Sequence, residues 1–149
     1  MTINSKLFIA LAALSITLSA CKKNTIIEPE EIIVPENPAS FKETAMIDLG
    51  GEFASEISAY DPLTKKLFVV SNDGGTKVDV VSLSNYPTLT KLQTLTFPNN
   101  AGINSVAVSN GLLAIALNGV NGQANGDVVV LKTSTLEEVK KISVGAMPD

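Results

Sequence analysis

The chain has 149 residues, a formal net charge of −4 and 45% hydrophobic residues, with no His, no Trp, no Arg and one Cys. That length holds one ordinary domain of about 100–150 residues. The missing His excludes Ser-His-Asp and Cys-His catalysis and imidazole-ligated zinc. The single Cys excludes a disulfide framework, and eleven Lys against fifteen acidic residues leave no basic surface for nucleic acid.

Residues 1–20 carry one charge, Lys6, ahead of the apolar run Leu7-Phe8-Ile9-Ala10-Leu11-Ala12-Ala13-Leu14. A charged start followed by a short apolar stretch is the layout of an export signal, and the run falls short of a ~20-residue membrane span. It ends in Leu18-Ser19-Ala20-Cys21. This quartet resembles the lipobox of bacterial lipoproteins: an aliphatic residue, two small residues, then Cys. The resemblance implies cleavage before Cys21 and a diacylglycerol on its thiol. Two or three acyl chains hold a protein on a bilayer almost irreversibly, since each buried CH₂ contributes about 0.8 kcal/mol. The Asp that retains such proteins at the inner membrane is absent; Lys22 stands there instead. The expected place is therefore the cell envelope, at the periplasmic or outer face of the outer membrane.

Residues 21–45, from the lipidated Cys onward, read as a tether. Glu28-Pro29-Glu30-Glu31 and Val34-Pro35-Glu36-Asn37-Pro38 mix prolines with like charges. Each Pro fixes φ and lacks a backbone donor, which disfavours helix and central strand alike. Repulsion between the Glu residues extends the segment further. Ile26-Ile27 and Ile32-Ile33-Val34 are more apolar than a spacer requires, and an added edge strand is the alternative reading.

Residues 46–149 are patterned as all β: short runs of Val, Ile, Leu and Phe separated by Gly, Asn, Asp and Pro clusters. The first unit predicts strands at 57–60, 67–70, 78–81 and 91–97. Asp61-Pro62, Asn72-Asp73-Gly74-Gly75 and Ser84-Asn85-Tyr86-Pro87 form its turns, and Asp79 falls on a polar face. The series then restarts, with strands at 105–108, 112–117, 128–131 and 139–144. Asn110-Gly111 and the loop 118–126 replace the first two turns. Four strands every ~45–50 residues is the period of a β-propeller blade. An eight-stranded sandwich is the rival, but a sandwich has no reason to repeat four strands in order. Val144-Gly145-Ala146-Met147-Pro148-Asp149 is the entry to a third unit. Propellers close with about four to eight blades, so the expectation is an incomplete propeller of two blades whose missing blades belong to a longer protein.

Several of these runs carry a family resemblance. Glu56-Ile57-Ser58-Ala59-Tyr60-Asp61 with Lys66-Leu67-Phe68-Val69-Val70 resembles the opening blade of the choice-of-anchor I group of secreted propeller proteins. Asn104-Ser105-Val106-Ala107-Val108-Ser109-Asn110-Gly111-Leu112-Leu113-Ala114-Ile115-Ala116 resembles its second, and residues 144–149 the entry to its third. The group is similar to the mesenchyme-specific cell surface glycoprotein. The resemblance implies an exported β-propeller held at the cell envelope. Members often carry a C-terminal anchor, in contrast to the N-terminal lipid signal here. Some carry phosphatase-like or phytase-like labels, and no catalytic motif carries over to this chain.

The candidate site is a ring of polar residues at the mouth of the central channel, where the innermost strands begin. Glu56 and Ser105 are matched there, with Asp149 at the corresponding place in the third unit. Such a ring suits a cation or a polar ligand; the alternative is a set of turn residues that keep the strand entries hydrated. Residues 118–127 offer oxygen ligands, but Asp127 is their one carboxylate, while Ca²⁺ takes about six to eight oxygens with several carboxylates. The loop reads as a glycine-rich hairpin rather than a Ca²⁺ site, and no cofactor is expected, though Ca²⁺ is not excluded. The functional expectation is an envelope-anchored lipoprotein propeller that binds a protein or polar ligand, with no residue pattern that demands chemistry. The alternatives are part of a metal-dependent phosphatase- or phytase-like hydrolase, and a truncated product without function.

Overall fold

Apolar residues recurring every second position draw the globular part into strands, and Gly-, Asn- and Pro-bearing turns divide them. A computed structural model of the chain describes residues 37–51, 55, 57–73 and 76–149. The export signal, Cys21, the tether up to residue 36 and Glu56 lie outside the described residues, as do Gly74 and Gly75. Eight strands follow a short 3₁₀ turn at Pro38–Ser40. They are β1 (Ser58–Asp61), β2 (Lys66–Ser71), β3 (Lys77–Asn85), β4 (Thr88–Thr96), β5 (Ile103–Ser109), β6 (Leu112–Leu117), β7 (Asn125–Lys132) and β8 (Glu138–Ala146).

The strands form two four-stranded antiparallel sheets, ordered β1-β2-β3-β4 and β5-β6-β7-β8. This is the all-β architecture of two propeller-type blades, an incomplete propeller. Within each sheet every connection is a hairpin to the next strand, so each sheet is a meander. Asn110 and Gly111 join β5 to β6 with φ of 49° and 76°. Both central residues lie in the left-handed region, where glycine pays no Cβ penalty, and this is the type I′ geometry that matches strand twist.

Two sequence expectations shift. The turn expected at residues 84–87 shrinks to Tyr86 and Pro87, because β3 continues to Asn85, which pairs with Thr88. Residues 144–146 belong to β8 rather than to a third unit, since Ala146 still pairs with Asn125. Asp79 is a correction. It is 0% exposed, not on a polar face. Lys91 Nζ lies 2.8 Å from its Oδ1, and the Thr94 hydroxyl donates to the same oxygen at 2.5 Å. Cross-strand partners on β4 bring the necessary charge to the buried carboxylate.

The core lies between the sheets. Phe68 and Val70 of β2 pair with Val80 and Val78 of β3, so these four side chains share one face. They join a single apolar cluster with Val106, Leu113, Ile115, Leu117, Val129 and Leu131 of the second sheet. The alternate residues point the other way. On the first sheet these are Leu67, Val69 and Val81, with Asp79 among them. On the second they are smaller: Ala107, Ala114, Ala116, Val128 and Val130.

Candidate functional site: the polar seam at the strand entries

Ladder register fixes which positions correspond. Val69 pairs with Ser58 and Asp79, and Ile115 pairs with Val106 and Val129. Because both Val69 and Ile115 lie on the face turned away from the following sheet, they are counterparts. Counting along β2 and β6 makes Asn72 the counterpart of Asn118, each directly after its second strand.

Asn72 joins the two sheets. Its Oδ1 accepts the Ile103 N–H at 3.1 Å and its Nδ2 donates to the Ile103 carbonyl at 3.2 Å. A side-chain amide offers donor and acceptor side by side, so it substitutes for a neighbouring strand at the entry to β5. Asn118 makes a reciprocal pair with Asn104, each Nδ2 donating to the other's Oδ1 at 2.8 Å. Asn104 Nδ2 also donates to the Pro148 carbonyl at 2.9 Å. The crossing from β4 to β5 is fastened to the same end. Asn100 Nδ2 donates to the Asn118 carbonyl at 2.7 Å, the Asn118 N–H to the Gly102 carbonyl at 2.9 Å, and the Thr76 hydroxyl to the Asn100 carbonyl at 2.9 Å.

These amides rim an open hollow of about 560 Å³ lined by Ile57, Asn72, Ile103, Asn104, Met147 and Asp149. A second hollow of about 200 Å³, on the outer face of the second sheet, is lined by Ser105, Asp149 and the small side chains Ala107, Ala114, Ala116 and Val128. Ser105 and Asp149 thus line one hollow, and Asp149 reaches both. Glu56, the remaining residue of the expected ring, lies outside the described residues. By register, Ser105 is the counterpart of Ile57.

The opposite end of the seam is charged. Lys66 Nζ donates to the carbonyls of Thr133 and Ser134 in the β7–β8 turn, at 2.8 and 2.9 Å. Asp61, 1% exposed, ends β1 beside them. Burial alone pushes its pKa up. Hydrogen bonds from the Thr133 and Thr64 side chains and from the Leu63 and Thr64 N–H groups outweigh that, and the carboxyl lies below its ordinary value. The Thr133 hydroxyl also lies 3.1 Å from the Gly111 carbonyl, and its one proton serves either acceptor.

Chemically, the strand-entry end presents amides, one hydroxyl and the Asp149 carboxylate. Among the described residues no three His, Cys, Asp or Glu side chains gather as a metal cage. Asp127 is held by Lys141, 2.9 Å away, at the foot of the loop considered for Ca²⁺. The amides of Asn72, Asn104 and Asn118 are taken up by one another and by backbone groups, and Ser105 and Asp149 supply the remaining polar lining of this end. Sequence reasoning placed Ser105 and Asp149 here but passed over Asn72, Asn104 and Asn118. Their signal was the Asn that follows an apolar strand twice, in Val70-Ser71-Asn72 and Ala116-Leu117-Asn118.

No curated protein and no solved structure matches the chain. The Choice-of-anchor I domain matches it over residues 56–149, a range that contains both sheets from β1 to β8. That domain is a surface-associated module, so the chain is of the cell-surface or secreted kind. With well over half of its length matched, the chain belongs to the choice-of-anchor I family.

Proposed function

We propose that the protein is a lipid-anchored propeller at the cell envelope that works by binding, and that its two sheets are repeated blades of a larger ring. One observation carries this reading. The face of the first sheet bearing Phe68 and Val70 is buried under the second sheet, whereas its counterpart bearing Ala114, Ala116 and Val128 is left lining an open hollow. Repeated units bury their apolar faces against neighbours, and about three are needed for stability. Family membership supports the surface location, and the Leu18-Ser19-Ala20-Cys21 quartet supports the lipid. A ring whose strand entries leave Ser105 and the Asp149 carboxylate lining an open hollow suits recognition of a polar ligand.

The test uses cells that make the protein. Cells fed an alkyne fatty acid should label the product, and Cys21→Ala should abolish both labelling and membrane partitioning. An antibody to the blades should detect a product larger than the 15.6 kDa of this chain. A product of that size or smaller, found only in the soluble fraction, would overturn anchor and ring together.

A further inference from the structure

The two ends of the sheets differ in what they expose. The end opposite the strand entries is built from the β1–β2, β3–β4, β5–β6 and β7–β8 turns. It exposes Leu63, Tyr86 and Leu112. These turns meet. The Leu83 N–H donates to the Lys65 carbonyl at 2.8 Å, which joins the β1–β2 turn to the end of β3. A methyl group on Gly111 would lie 3.9 Å from Leu63 Cδ1, so the β5–β6 turn adjoins as well. The chain reaches β1 from the same end, because the Thr44 and Tyr86 hydroxyls are hydrogen-bonded. Phe41, three residues earlier, is 92% exposed.

The ends differ in charge too. Among the described residues, the turn end carries Lys42, Lys65, Lys66 and Lys132 against Glu43, Glu137, Glu138 and the buried Asp61. It is close to balance. The strand-entry end carries Asp48, Asp73, Asp127 and Asp149 against Lys77 and Lys141, and is acidic. Exposed apolar residues alone do not separate the ends, since Val120 and Met147 are exposed beside those carboxylates. The aromatic rings and the lysines do. Tyr places its ring in the headgroup layer and keeps its hydroxyl wet, and Lys reaches past an apolar surface to phosphates. An anionic leaflet attracts lysines and repels a carboxylate-rich end.

The chain itself supplies the bilayer. Cys21, the residue read as acylated, stands 20 positions before Phe41. Twenty residues span at most about 70 Å. The turn end is thereby held near the membrane, and a contact too weak to form from solution is populated by its raised effective concentration.

We propose that the turn end rests on the bilayer, with Phe41, Leu63, Tyr86 and Leu112 in the headgroup layer, and that the strand-entry end with Asp149 is presented away from it. The proposal rests on the lipid-anchor reading above.

The absence of Trp from the chain makes a single Trp a clean depth probe. Phe41→Trp, Leu63→Trp and Val120→Trp each fall on an exposed site, the last two 74% and 73% exposed at opposite ends. The 149-residue chain is made in cells with its own export signal, and acylation of Cys21 is read by mass. The acylated protein is then placed in phosphatidylethanolamine–phosphatidylglycerol vesicles whose acyl chains carry bromine. Trp at 41 and at 63 should be quenched at least about threefold more than Trp at 120. Position 63 decides, because position 41 lies close to the tether. Adding Tyr86→Ser and Leu112→Ser to Leu63→Trp should reduce its quenching at least about twofold. Equal quenching at 63 and 120, or none at either, in acylated protein would overturn the resting surface and leave the anchor standing. Stronger quenching at 120 would reverse the orientation and overturn the proposal. Quenching at 63 that is indifferent to the two Ser substitutions would overturn the named contact. An unmodified Cys21 would remove the anchor and the proposal with it.

Discussion

Asn72 and Ile103 are joined through both polar groups of one peptide residue, the side-chain amide of the first meeting the N–H and the carbonyl of the second. The two residues stand 31 positions apart, Asn72 directly after β2 of the first sheet and Ile103 at the start of β5 of the second. The bond pair ties the first residue of β5 to the end of β2. Asn72→Ala leaves both groups of Ile103 without this partner at a part-buried site. It should lower unfolding stability by about 1–3 kcal/mol. Asn118→Ala should cost less, because its partner Asn104 retains the Pro148 carbonyl. Urea titration of the two variants decides the order, and equal losses would remove the special role of Asn72.

Acid acts at the other end of the seam. The hydrogen bonds to Asp61 favour its charged form, so its folded pKa lies below the unfolded value of about 3.8. A lowered carboxyl contributes stability that is fully present above the unfolded pKa. The contribution is lost as pH falls through the folded pKa. Urea midpoints should therefore fall on acidification below about pH 4. The fall should be shallower in Asp61→Asn, which cannot titrate. Parallel curves for the two proteins would show that Asp61 is not linked to folding.

The strand order and the turns were legible because they depend on local chemistry: alternating Val and Phe in β2 and Asn110-Gly111 between β5 and β6 announce themselves over a few residues. Asp79 did not. Its place between Val78 and Val80 reads as the polar side of a half-buried strand, whereas both faces are buried here, and the charge that its burial requires arrives on Lys91 and Thr94 from β4. The seam was half visible. Ser105 and Asp149 followed from counting strands, but the amide links of Asn72 and Asn104 are contacts across 31 and 44 residues, which no local pattern encodes.

The counterpart of Asp79 in the second sheet is Val129, which is buried among apolar side chains. The molecule thus holds a charged and an apolar solution at the same place. Lys91→Ala should destabilise by about 1–3 kcal/mol, since it leaves a buried carboxylate with the Thr94 hydroxyl alone. Lys91→Ala combined with Asp79→Val should recover the loss, because a buried ion pair replaced by well-packed apolar groups is often neutral or stabilising. Thermal melting of the single and double variants tests this. A double variant as unstable as the single one would mean that the pair contributes more than its burial costs.

Adjacent residues on β7 separate the two faces of the second sheet. Val129 points into the core between the sheets and is 3% exposed, whereas Val130 is half-buried on the outer face. Truncation removes the same two methyl groups in each case, so local strand propensity changes alike and only packing differs. In the 149-residue chain, Val129→Ala should cost about 2 kcal/mol, the transfer of the lost methyls plus the cavity left behind. Val130→Ala should cost less than about 1 kcal/mol, since its surroundings can close over a partly exposed site. A product that carries a further blade over this face would bury Val130 as the second sheet buries Val80. There the two costs should converge. Urea unfolding of both variants in both contexts measures the difference, and a large Val130 cost already present in the 149-residue chain would mean that the outer face is covered without any further blade.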